Sequence, residues 1–306
     1  MHYLGIYDKI ELIPADLTDS TSIYESLKES QPSEIYHLAA QSFVAASFSQ
    51  PLYTTNITAL GVIRMLREVK RLDDRIRFYQ AGSSEMYGTE GSALKNESTP
   101  FKPVSPYAIA KLSSHWTVNM YRNGYGLHAT NGILFNHESE LRGLEFVTRK
   151  VTNGVAKISL GLIKNLKLGN LNAKRDWGYA PEYVEGMWMM LQQKKPDDYV
   201  LATNEVHSVK ELVEEACKIA SVPISKIISS KEYLRPFDVP YLRGDYSKAK
   251  KKLGWKPRTT FKKLIKIMVE EDMRRWEGWI KGEYFPWDAA TSGQDSQVFS
   301  KWKKRN

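Results

Sequence analysis

Four residues near the middle of the chain have types and spacing suited to proton transfer. Ser83 and Glu85 lie two residues apart in Gly82-Ser83-Ser84-Glu85-Met86-Tyr87-Gly88, directly after the β-rich run RIRFYQA. A hydroxyl and a carboxylate at such a strand exit can both face a bound ligand, although the same run of Gly and Ser also suits a plain turn. Further on, Ser105-Pro106-Tyr107 reads as a helix start, with serine as N-cap and proline in the first turn. Tyr107 and Lys111 then share one helix face at i, i+4. An ammonium held there favours the phenolate, so Lys111 is expected to lower the Tyr107 pKa toward a value useful for a general base. Lysine also follows Tyr24 and Tyr246 at this spacing, so spacing alone singles out no tyrosine. Tyr107 differs from those two by its capped helix start and by the strand exit upstream. Tyr24, inside an early helical pattern, and Tyr246, among basic surface residues, read as structural.

The elements that must position these groups follow a regular alternation. β-rich runs at 10–17, 34–40, 75–82, 127–135 and 199–203 are separated by helix-period stretches at 20–29, 51–72, 106–123, 144–160 and 182–193. Strand, helix, strand, helix predicts an α/β fold, a doubly wound parallel sheet covered on both faces. Beyond 205 the pattern loosens into helices near 208–220, 246–253 and 259–279 around an irregular stretch, YLRPFDVPYLRGDY, which predicts a smaller C-terminal lobe.

Composition narrows the class. The chain has 306 residues, 42% hydrophobic and 26% charged, which suits a folded protein with its own core. No run approaches the ~18 to 20 apolar residues of a membrane span, and MHYLGIYDKIEL has no basic patch leading into an apolar stretch, so a cytoplasmic protein is expected. The single cysteine, Cys217, reads as core. Net charge is +9, and residues 246–306, with 16 Lys and Arg against 7 Asp and Glu, carry the whole excess. No nucleic-acid-reading module stands beside this charge, so a solvated basic face is favoured over nucleic-acid binding. The six histidines form no metal-like spacing, and no metal is expected.

Ser83, Tyr107 and Lys111, together with AAQS at 39–42 and NGILFNHES at 131–139, resemble the extended short-chain dehydrogenase/reductases that act on nucleotide sugars. FYQAGSSEMYG, SPYAIAKL, NGILFNHES, FVTRKV, LGNLNAKRDWGYAPEYVEGMWMML and RPFDVPYLRGDYSKAKKKLGWKP are most similar to the GDP-mannose 4,6-dehydratase family, over about residues 5 to 275. The resemblance implies a Rossmann-like dinucleotide-binding part at 1–135 and 182–204, a substrate-binding part at 136–181 and 205–280, and a basic tail at 281–306. It implies NADP as cofactor and GDP-mannose as substrate. Tyr107 would take the proton of the sugar 4-hydroxyl as NADP accepts the C4 hydride, Lys111 would favour the phenolate, and Ser83 would bond the 4-oxygen. Glu85 would then remove the C5 proton, water would leave from C6, and the hydride would return there. Cofactor contacts carried over by motif are Asp16, Leu17, Leu38, Ala39, Ala40, Ser42, Tyr107, Lys111, His137 and Arg142; His137 also suits a plain loop histidine. Substrate contacts are Asn136, Lys150, Arg175 and Arg235, while Arg149 and Lys174 are as readily solvated. The helices at 51–72 and 106–123 would supply the homodimer interface common in this group.

The sequence also departs from that pattern. The family opens with a strand, a glycine-rich turn and a helix that cradle the pyrophosphate, and this sequence shows no such segment. The run 10–17 is therefore expected to lack its neighbouring strands, so that the chain folds poorly or rearranges at that edge, or else the sequence as given begins at an internal methionine. Ser83 replaces the usual threonine, keeping the hydroxyl, and HESELRG replaces HESPRRG, putting Leu141 where an arginine is usual. Two other readings fit the same residues: a dehydratase or epimerase for another nucleotide-linked hexose, and a non-catalytic remnant that binds a sugar nucleotide.

Overall fold

The computed structural model of the chain describes residues 4–89, 94–230 and 239–283. A parallel sheet begins with β1 (Glu34–His37), β2 (Arg77–Ala81) and β3 (Ala129–Leu134). Short strands β4 (Asn136–Glu138), β5 (Leu166–Leu168), β6 (Lys174–Arg175) and β7 (Trp177–Tyr179) follow, before β8 (Tyr199–Leu201) completes the sheet in the order β1-β2-β3-β8. β9 (His207–Ser208) pairs with β6, β10 (Ile227–Ser229) with β5, and β4 with β7. The helices are α1 (Ser20–Ser30), α2 (Val44–Ser49), α3 (Pro51–Thr55), α4 (Gly61–Leu72), α5 (Pro106–Tyr125), α6 (Val147–Ser159), α7 (Ala180–Leu191), α8 (Val209–Ile219), α9 (Ser247–Leu253) and α10 (Phe261–Ile280). A π-helical turn at Asn56–Leu60 joins α3 to α4, so the helix expected over 51–72 is present with one widened turn.

Strand periodicity explains how the sheet is covered. Phe78 and Tyr79, adjacent in β2, face opposite sides. Phe78 packs with Ile23 and Leu27 of α1, Val62 and Leu66 of α4 and Val118 of α5, whereas Tyr79 packs with Tyr183, Met187 and Met190 of α7. Every residue of β3 is buried, as a strand covered on both faces requires. A separate apolar cluster joins α6, α8 and α10 through Val151, Val155, Leu212, Val213, Ile265 and Met268, with Trp177 of β7 stacked on Phe261 of α10. The expected doubly wound α/β architecture is the one observed. Among the described residues, no helix is long and apolar enough to cross a membrane.

One predicted strand is absent. Residues 11–16 have no regular structure, because a strand needs a neighbour for its backbone donors and acceptors and, among the described residues, β1 pairs only with β2. Asp16 instead caps a local turn by accepting from the Thr18 backbone N–H at 2.8 Å and hydroxyl at 2.9 Å. Leu17 packs beside Gly61 at the start of α4. The periodicity does not reveal α2 or, β8 apart, the two- and three-residue strands, which are too short to show a period.

Candidate active site

The active-site geometry begins at the end of β2. The Gly82 backbone N–H donates to the Gly132 carbonyl at 2.8 Å, and a Cβ at Gly82 would stand 2.7 Å from that same oxygen. Only glycine lets the chain leave the sheet so close to β3. Ser83 then caps a single 3₁₀ turn, its hydroxyl accepting from the Glu85 N–H at 3.2 Å. The turn closes at Gly88, whose φ of +67° lies in the left-handed region and whose Cβ would strike the Lys102 carbonyl. Turn chemistry and ligand presentation are therefore served by the same residues.

Helix α5 starts as the sequence predicted. Ser105 accepts from the Ala108 N–H at 3.1 Å and Pro106 occupies the first turn. Tyr107 and Lys111 come to one face, and the Lys111 ammonium donates to the Ala81 carbonyl at 2.7 Å. Its Nζ lies 5.9 Å from the Tyr107 ring centroid. Ser83, Glu85, Tyr107 and Lys111 all line one cavity of about 650 Å³, within the usual range for a small-molecule site.

The electrostatics correct one expectation. The Tyr107 phenol is not made acidic by Lys111: burial pushes it up to about 12, a hydrogen bond with Ser83 partly offsets this, Glu85 adds to the rise and Arg142 opposes it. Burial likewise drives the Lys111 ammonium down to about 8. Desolvation wins because both groups are taken almost wholly out of water, while the lysine charge is turned onto a backbone carbonyl.

The remaining predicted contacts divide. Leu38, Ala40, Ser42, Asn136, His137, Arg142 and Arg175 line the same cavity. Asp16, Leu17, Ala39 and Lys150 do not line it, and Arg235 lies outside the described residues. Arg149 is neither solvated nor on the cavity wall; it is 2% exposed and ion-paired with Asp272 at 2.7 Å. Lys174 is exposed on β6. The His137 ring stacks on Tyr183 at 4.9 Å and its Nδ1 faces the Phe135 carbonyl at 2.8 Å, so Nδ1–H donates. Burial lowers its pKa to about 4, leaving the ring neutral at physiological pH.

Two carboxylates were missed. Glu138 lies on the cavity wall, accepts from the Thr148 hydroxyl at 2.5 Å and pairs with the Arg142 guanidinium at 3.2 Å. Asp176, beside Arg175, accepts from the backbone of Thr203, Asn204 and Gly244, and burial raises its pKa to about 6. Its place in Arg175-Asp176-Trp177 was the available signal, since a carboxylate between two short strands must find donors. Among the described residues, no group of three His, Cys, Asp or Glu side chains could hold a metal ion.

The donor set fits the nicotinamide and ribose end of a dinucleotide. Two cations, Lys111 and Arg142, and the hydroxyls of Ser42 and Tyr107 surround a cavity floored by the small residues Ala40 and Gly82. Asp16 and Leu17, expected on the adenosine side, stand off that wall, so the fit is made at the nicotinamide end.

Fold and site together define an extended short-chain dehydrogenase/reductase of the dehydratase and epimerase type. Similar solved folds include "Structure of RMD from Pseudomonas aeruginosa complexed with NADPH", with TM-score 0.80 and 22% identity over 90% of this chain and 95% of that one. A dTDP-glucose 4,6-dehydratase from Bacillus anthracis in complex with NAD gives TM-score 0.79 at 20% identity, covering 91% of this chain and 85% of that one. At such identities these show the fold alone. The chain belongs to the GDP-mannose 4,6-dehydratase family, whose model matches residues 3–268. It is 50% identical to GDP-mannose 4,6 dehydratase 1 of Arabidopsis thaliana, over 84% of this chain and 73% of the relative. It is 46% identical to the human GDP-mannose 4,6 dehydratase, over 88% of this chain and 77% of the relative.

The Ser83 bond draws the Tyr107 phenol down, so Ser83→Ala should move its spectrophotometric titration to higher pH. An unchanged or lower midpoint would show that the hydroxyl does not act on the phenol.

Proposed function

We propose that the chain is a GDP-mannose 4,6-dehydratase, converting GDP-mannose to GDP-4-keto-6-deoxy-mannose and water. The carrying observation is that Ser83, Glu85, Tyr107 and Lys111 line one cavity in a chain 43% to 50% identical to curated enzymes of that name. We assign residues 1–135 and 182–204 to cofactor binding and 136–181 and 205–280 to substrate binding; the cluster joining α6, α8 and α10 and the one under α1 and α4 follow this division, while Val239, Leu242, Ala249 and Trp255 of the second part pack against the first.

The side chains divide the proton work. Tyr107 Oη takes the proton of the sugar 4-hydroxyl, and Ser83 Oγ bonds the same oxygen. Held by the cavity residues, NADP would supply the hydride acceptor for C4 and the donor for C6. Burial, offset in part by the Ser83 bond, leaves the phenol pushed up to about 12 and therefore protonated at neutral pH before substrate enters. Lys111, tethered to Ala81, holds its ammonium beneath the phenol ring. The 4-ketone acidifies the C5 proton, which the Glu85 carboxylate removes and passes to the 6-hydroxyl, which leaves as water; hydride addition at C6 is then matched by a proton returned to C5, balanced by the one that Tyr107 took from the 4-hydroxyl and releases. His137, Arg142, Leu38, Ala40 and Ser42 hold the cofactor, and Asn136 and Arg175 the substrate. The partly buried Glu85 lies on the cavity wall where a sugar can reach it, whereas Lys111 is only 3% exposed.

GDP-mannose carrying deuterium at C4 should give a product with that deuterium at C6, and Glu85→Gln should slow product formation about 10² to 10⁴-fold. Loss of the label to water, or equal turnover of UDP-glucose or dTDP-glucose, would contradict the reading.

We further infer a homodimer through α3, α4 and α5. Leu52 at 86%, Trp116 at 59% and Ile109 at 58% exposure put apolar side chains on the outer face of these helices. Trp116→Glu should convert a sedimenting dimer to monomer; a parent chain that sediments as monomer would rule this interface out.

A further inference from the structure

We propose that Asp272 and Arg275, on the C-terminal helix α10, are positioning residues for the loop that presents Arg142 to the cavity. Both lie beyond residue 268, where the family match ends. The inference rests on reading Arg142 as a cofactor contact.

The loop at 139–146 joins β4 to α6 and belongs to no sheet. Its own backbone bonds are few: Arg142 N–H donates to Ser139 O at 3.0 Å and Phe146 N–H to Gly143 O at 3.2 Å. Buried guanidinium groups hold it from behind. Arg149 Nη1 donates to Glu140 O at 2.8 Å and to Arg142 O at 3.1 Å, and Arg275 Nη1 donates to Glu140 O at 2.7 Å. Asp272 fixes Arg149 by accepting from its Nε at 2.7 and 3.0 Å, and it also accepts from the Thr152 hydroxyl at 2.7 Å. Glu271 accepts from Arg275 Nε at 2.8 Å. Arg149, Asp272 and Arg275 are each at most 2% exposed.

Such a cluster carries a desolvation cost, and apolar side chains could cement two helices without it. What apolar packing could not do is donate to loop carbonyls. The Arg149 and Arg275 donors named above end on the backbone of residues 140 and 142, and the Arg142 side chain leaves that backbone to lie 3.5 Å over the Phe146 ring and 3.2 Å from Glu138. A shift of the loop therefore carries the guanidinium off the cavity wall. Arg142 also bears on Tyr107 and His137, whose pKa values its charge lowers, so the anchoring reaches the proton chemistry through one side chain.

The test uses the full 306-residue chain. Arg275→Met should raise amide hydrogen exchange in 139–146 about tenfold while β2 and β3 keep the parent rates, and Arg275→Lys, which keeps a donor, should fall between. Unchanged exchange in 139–146, or faster exchange throughout the chain, would overturn the proposal; this arm needs no cofactor. NADPH binding by fluorescence supplies the second arm. Arg275→Met should weaken it in the parent background and not in Arg142→Ala, the non-additivity expected of a residue acting through another. Additive losses would overturn the proposal. If Arg142→Ala binds NADPH as tightly as the parent, the cofactor reading of Arg142 is wrong, and the exchange result alone decides whether the loop is anchored from α10.

Discussion

A buried bond from the Lys111 ammonium to the Ala81 carbonyl ties the two halves of the active site together. Ala81 ends β2, and the next residues are Gly82, Ser83 and Glu85. Lys111 lies one turn into α5, on the face it shares with Tyr107. The bond therefore fixes the phenol against the hydroxyl and carboxylate that must meet the same sugar ring. A charge-assisted bond from a buried lysine holds such geometry without cost at the moment of reaction. Gly82 is its precondition, because a side chain there would push β2 away from β3 and move the carbonyl.

Burial, more than charge pairing, sets the protonation states around that bond. The phenol is pushed up, the ammonium down to about 8 and the His137 imidazole down to about 4, each with desolvation as the largest cause. The tyrosine is thus held in its weakly acidic form by its surroundings, with the Ser83 bond and the Arg142 charge drawing it down against burial. The loop from 139 to 146 belongs to the same design, since Arg142 adds a favourable charge from the far wall.

Much of this was legible in the sequence. The Ser105 cap, Pro106 and the i, i+4 pair placed Tyr107 and Lys111 on a helix start, and the β-rich run before Gly82 placed Ser83 and Glu85 at a strand exit. Four of the five predicted strands and the flanking helices formed where the periodicity put them. The run 10–17 did not, because strand propensity is realised only beside another strand. The acidity of Tyr107 was misjudged because sequence spacing reports proximity and is silent on solvent exclusion. Arg149, which the sequence left open as a substrate contact or a solvated cation, is neither, because Asp272, more than a hundred residues away, supplies its buried partner. Glu138 was passed over because a carboxylate beside a histidine in a loop pattern gives no sign of the threonine and arginine that converge on it.

The most direct measurement is the conversion of GDP-mannose by Lys111→Met, with affinity for the substrate followed in parallel. If the tether to Ala81 sets the geometry of the phenol, turnover should fall about 10² to 10⁴-fold while GDP-mannose still binds. Turnover close to that of the parent would contradict the account.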